Sequence, residues 1–196
     1  NARNDGSNPR GGTDWAALRA SYGHPAPYGI RIWNIGNEPW SSAELGSTSS
    51  SATTYMTMAI PIIDSMLSAD PTILISIPAV GNGSSPWNST LLASSAFLSR
   101  IFALSPHAFY DEDVSTPNPS VSMAQSFIKS VSDSTISAGI KVVVGDHASW
   151  APSADPDKAM RWEGALATAD YLLMLSQVKN IELANFWIYG NPKAVW

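Results

Sequence analysis

Five apolar runs alternate with amphipathic stretches along this chain, and that alternation restricts the possible folds more than any other feature. The runs cover residues 30–35, 72–80, 103–110, 140–144 and 181–188. Each is nearly continuous in its apolar character, as in strands buried on both faces. Between them, Tyr55, Met58, Ala59, Ile62, Ile63, Met66 and Leu67 recur at helical spacing. Pro61 inside that stretch predicts a kink or a late helix start. A second helix is expected over 91–102, with Leu92, Ala96, Phe97 and Ile101 inward, and a third over 121–137, closed by Gly139. A long fourth helix opens with Asp155 as N-cap and Pro156 at its first position, and Trp162, Leu166, Ala169, Leu172 and Leu173 share a face. Strands joined in this way form parallel βαβ units with right-handed crossovers, so the class is α/β.

With 44% hydrophobic residues in 196, the chain can bury a sizeable core and reads as one domain, 1–196. Residues 1–14 are polar, without the apolar segment of a signal peptide, and a short helical turn follows over 15–22, closed by Gly23. The serine-rich stretch 41–54 reads as a loop. A net charge of -5, with basic residues scattered, argues against nucleic acid or an anionic membrane as partner. No run is long and apolar enough for a membrane span. The lack of cysteine excludes disulfides, a thiol nucleophile and thiolate metal sites. Metal is not expected, because His24, His107 and His147 have no ligand spacing, and no glycine-rich phosphate loop suggests a cofactor. Asn82 and Asn88 begin glycosylation sequons, which matter only in a secreted eukaryotic protein.

The first strand runs directly into Gly36-Asn37-Glu38-Pro39-Trp40. Proline cannot donate to a ladder, so pairing stops there and Glu38 stands at the strand's C-terminal end. That end of a parallel α/β sheet is where ligands bind. Glu38 either caps the following loop or pairs with Arg31 or Arg19, or it acts as a general acid with a pKa raised by burial.

Trp33-Asn34-Ile35-Gly36-Asn37-Glu38-Pro39, together with Trp15-Ala16-Ala17-Leu18-Arg19 and Gly23-His24-Pro25-Ala26-Pro27-Tyr28 upstream, resembles the fourth-strand region of the retaining glycoside hydrolases built on (β/α)8 barrels. Within that clan it is most similar to the α-L-arabinofuranosidase-like members. The resemblance implies a TIM-barrel-type fold of which the five βα units seen here are strands four to eight. Five strands cannot close such a barrel, so a second chain or a missing segment is expected to supply strands one to three. It further implies a carbohydrate partner, an arabinose-containing polysaccharide, and an extracellular or secreted setting. Asn37 would bind the sugar 2-hydroxyl and Glu38 would be the acid/base.

The matching nucleophile position is Asp146, after Val142-Val143-Val144-Gly145. Strict alternation would put Val142, Val144 and Asp146 on one face. The clan has glutamate there, and the shorter aspartate withdraws the carboxylate by roughly 1.5 Å. A backbone shift that restores attack, a water admitted for inversion, or loss of hydrolysis would follow, the last leaving a carbohydrate-binding or structural subunit. Asp146 alternatively orients His147 or caps the loop. By resemblance, His107 and Tyr110 support the nucleophile, with the Tyr110 hydroxyl donating to it, His147 orients it, and Trp187 floors the sugar subsite. Trp40 and Trp150 either shape the cleft or line its wall.

Overall fold

The computed structural model describes residues 14–41, 51–81, 85–110, 120–149, 157 and 161–187. The chain divides into two compact units, Asn1–Arg31 and Ile32–Trp196. In the first, helix α1 (Trp15–Ser21) is capped by Asp14, whose carboxylate accepts from the Ala17 amide at 2.9 Å. Arg19 donates to the carbonyls of His24 (2.9 Å) and Pro25 (3.1 Å), tying the turn at Gly23 back to the helix.

The second unit is a five-stranded sheet in which β1 (Ile32–Asn34), β2 (Leu74–Ala79), β3 (Ala103–Tyr110), β4 (Lys141–Ser149) and β5 (Ile181–Phe186) lie side by side in chain order. All four pairings are parallel. The connections are helical: α2 (Ala52–Ala69), the short α3 (Pro86–Leu92) and α4 (Ser95–Leu98), α5 (Val121–Ala138) and α6 (Trp162–Leu175). This is a partial (β/α) barrel, as expected for five consecutive βα units.

The helices cover one face of the sheet. Ile75, Ile77, Leu104, Val142 and Val144 from the strands meet Ile63, Leu91, Phe97, Ile128 and Tyr171 from the helices in a single core cluster. Burying each such aliphatic side chain contributes about 1.5–3 kcal/mol. The opposite face carries Asn34, Ser76, Ala103, Ser105, His107 and Phe109, since register partners in a parallel pair share a face.

Several boundaries and faces differ from the sequence reading. Helix α2 starts three residues earlier than expected because Ser51 accepts from the Thr54 amide at 3.1 Å. Pro61 is accommodated inside α2 on its exposed side, where the carbonyl it leaves unbonded can meet water. Met58 and Ile62 also lie outward. In place of one helix over 91–102 there are two short ones, set by the caps Ser85, with Pro86 after it, and Ser94. Residues 42–50, Asp155 and Pro156 lie outside the described residues, and α6 is described from Trp162. The inward face of α6 is the reverse of the apolar reading: Gly164, Ala167, Tyr171 and Leu175 are buried, while Trp162, Leu166, Leu172 and Leu173 are exposed. Small side chains let the helix approach the sheet, and the Tyr171 ring stacks on Tyr110 at 4.5 Å.

Pro78 lies within β2. The Ser76 carbonyl accepts from the Ile35 amide, so Pro78, two residues on, directs its backbone to the same side, past the last paired residue of β1. No ladder bond is lost, and the Pro78 carbonyl accepts from the Trp87 indole at 3.1 Å. Asn88 is buried, donating to the Val80 carbonyl (2.8 Å) and accepting from the Val80 amide (2.9 Å). Its sequon is therefore inaccessible to glycosylation in the folded chain; Asn82 lies outside the described residues.

Candidate active site

The loop that carries Glu38 is pinned from three sides. The Asn34 amide donates to the Gly36 carbonyl (2.9 Å), Ser76 Oγ donates to Asn34 Oδ1 (3.1 Å), and the buried Tyr55 hydroxyl donates to the Ile35 carbonyl (2.7 Å). Gly36 takes φ +94, which glycine adopts freely. Glu38 itself has φ 33, an uncommon value for a side chain of its size. Strain of this kind persists where surrounding contacts enforce it, and it clusters at functional sites. Pro39 is buried behind it, and Trp40 turns its ring edgewise to Trp87 (5.3 Å) and to His107 (6.4 Å).

Glu38 pairs with His107: His107 Nδ1 lies 2.8 Å from Glu38 Oε1. The same nitrogen is 3.7 Å from Asp146 Oδ2. The two carboxylate oxygens therefore lie no farther apart than the sum of these distances. That limit reaches only the lower edge of the roughly 6.5–9.5 Å typical of inverting pairs and includes the roughly 5–5.5 Å of retaining ones. With Glu38 ionised, the Nδ1 proton is donated to it. Burial holds the Asp146 pKa above the ordinary carboxylate value, with nearby His107 opposing and Glu38 adding to the rise.

How Asp146 reaches His107 corrects the simple alternation. Leu104 pairs with Val142, yet His107 pairs with Asp146, so β4 carries one more residue than β3 over this interval. Against β5, Val144 pairs with Ala184 and His147 with Phe186, again one residue in excess on β4. The residue common to both excesses is Gly145. A bulge reverses the phase of a strand: Val142 and Val144 face the helices, whereas Asp146 turns to the opposite face beside His107. An isolated glycine inside a β-branched run is the sequence signal for this.

His147 and Tyr110 do not lie beside the carboxylates. His147 was expected to orient Asp146 and Tyr110 to donate to it; both instead lie buried on the helix side. There the Tyr110 hydroxyl is 3.3 Å from His147 Nδ1 and donates to Thr168 Oγ1 at 3.3 Å, and burial raises its pKa to about 12. Burial lowers the His147 pKa from 6.5 to about 4. The unfolded chain then takes up a proton first as pH falls, so this group's contribution to stability is complete above pH 6.5 and is lost towards pH 4. We expect wild type to lose on the order of 3 kcal/mol from this source between those limits. Urea melts at stepped pH check it: the loss should flatten in His147→Phe, and an equally steep loss in that variant would assign it elsewhere.

Asn37 is exposed on the turn before Glu38. Trp187, just past β5, is half-buried with its ring edgewise to Phe109 at 5.7 Å. Phe109, two residues beyond His107 on the same face, was not singled out in the sequence. Trp150 lies outside the described residues. Among the described residues no group of three His, Asp or Glu could hold a metal ion.

The parallel βα sheet thus brings two carboxylates to one imidazole near the C-terminal ends of its strands, the edge at which barrels of this kind carry their sites. The α-L-arabinofuranosidase 1 domain model matches residues 7–112, more than half of the chain, and the chain belongs to that family. A search of curated proteins found no match. Among solved structures, an α-L-arabinofuranosidase from Thermotoga maritima, described as an arabinose complex, is 23% identical with a TM-score of 0.63 over 94% of this chain and 39% of its own. A thermostable GH51 α-L-arabinofuranosidase from Thermotoga petrophila RKU-1 is 25% identical (TM-score 0.63; 91% and 38%). The family 51 α-L-arabinofuranosidase AbfB from Bifidobacterium longum is 18% identical (TM-score 0.66; 90% and 41%). The chain thus spans about two fifths of the length of these relatives.

Proposed function

We propose that this chain carries the active site of an α-L-arabinofuranosidase that cleaves arabinose-containing polysaccharide with retention. Asp146 Oδ attacks the anomeric carbon as the bond to the leaving oxygen breaks, and the Glu38 proton passes to that oxygen. Water then attacks the glycosyl–Asp146 ester, giving its proton back to Glu38 and releasing the Asp146 carboxylate. The observation that carries this reading is the single His107 nitrogen within reach of both carboxylates. Asn37 would hold the sugar 2-hydroxyl, and Trp187 with Phe109 would offer an aromatic wall to the sugar ring. A second chain or a further segment would supply the remaining barrel strands, since Glu182, Asn185 and Phe186 leave β5 partly exposed.

The aspartate at position 146 favours a second reading, a carbohydrate-binding subunit without turnover. Purified protein incubated with an aryl α-L-arabinofuranoside separates the two: release of the phenol supports the enzyme, whereas measurable arabino-oligosaccharide binding without release supports the binding subunit.

A further inference from the structure

We propose that Gly145 is a positioning residue for the carboxylate pair: as the extra residue of the β4 bulge, it leaves room for the His107 ring to lie against β4 with Nδ1 between Glu38 and Asp146. This rests on the reading of Glu38 and Asp146 as the working pair.

A Cβ at Gly145 would stand 3.1 Å from both Nε2 and Cδ2 of His107 and would overlap Ser105 Oγ. A Cβ at Gly81, at the end of β2, would overlap the His107 carbonyl oxygen. His107 is thus seated between two strands at points where neither has a side chain, and Trp40 bounds its ring. Because Nδ1 is held at 2.8 Å from one carboxylate and 3.7 Å from the other, a few tenths of an ångström of ring displacement alters both contacts. The glycine that reverses the strand's phase to deliver Asp146 is therefore also the one that admits the histidine.

The test is a double-mutant cycle in a Ser105→Ala background. Ser105 Oγ has no hydrogen-bond partner among the described residues, so its removal relieves the severest overlap and leaves the His107 ring atoms, at 3.1 Å, as the tight contacts of a new methyl group. In that background Gly145→Ala should lower kcat on an activated aryl arabinofuranoside on the order of a hundredfold, with KM within about threefold. Added to His107→Ala, the same substitution should change kcat less than about twofold. Equal losses in both backgrounds, or an unchanged kcat, would overturn the proposal. If wild-type protein has no turnover, the hydrolase reading is what fails; in that case, or if Ser105→Ala alone is silent, the cycle is read on the His107 ring NMR signals, identified by their loss in His107→Ala. Gly145→Ala should then move them as far as Glu38→Gln does, and unmoved signals would overturn the proposal.

Discussion

Asp146→Ala should reduce kcat for arabinofuranoside hydrolysis on the order of 10⁴- to 10⁶-fold, the scale seen when a covalent nucleophile is removed. On the proposed mechanism the group lost is the one that bonds to the anomeric carbon, and among the described residues the other carboxylate paired with His107 is Glu38, which would serve the leaving oxygen. Azide added to this variant should enter the space left by the side chain and give a glycosyl azide of inverted configuration. Full activity in Asp146→Ala would remove Asp146 from the mechanism. Asp146→Glu refines the point. The bulge at Gly145 already brings the shorter side chain to His107, so advancing the carboxylate by roughly 1.5 Å should cost about a hundredfold. A gain from a silent parent would instead mark a degenerate site and favour the binding-subunit reading.

Glu38→Gln should lower kcat by about 10²- to 10⁴-fold, the usual range for a positioned general acid. The loss should be greatest for substrates whose leaving oxygen needs a proton and smallest for an activated phenol, whose departure needs little help. Steady-state rates across aryl arabinofuranosides of graded leaving-group acidity measure this directly. A loss independent of the leaving group would make Glu38 a binding or structural residue. His107 should still fold into place in Glu38→Gln, because the seats made by Gly81 and Gly145 do not depend on that carboxylate.

The alternation of strands and helices, the order of the five strands and the position of Glu38 past β1 were all legible in the residues, because continuous apolar runs and a strand-ending proline act locally. Strand β3 and helix α5 closely matched their expected limits for the same reason, with Gly139 taking the left-handed cap at φ +73. What escaped was set by packing at a distance. The apolar stripe of α6 pointed the wrong way: Tyr171 packs on Tyr110 and His147 while Leu166 and Leu173 stay exposed, and the small Gly164 and Ala167 let the helix approach the sheet on that side. Tyr110 and His147 were placed beside the carboxylate by resemblance alone, and strict alternation carried through Gly145 gave Asp146 the face of Val142 and Val144. One extra residue there exchanges the faces of Asp146 and His147.

The most direct measurement is the configuration of the first sugar released by wild-type protein, followed by proton NMR before mutarotation. Retention through Asp146, as proposed from the two carboxylates that flank one His107 nitrogen, predicts that the product appears first as the α anomer. Initial appearance of the β anomer would show that water, not Asp146, attacks the sugar, and would contradict the account.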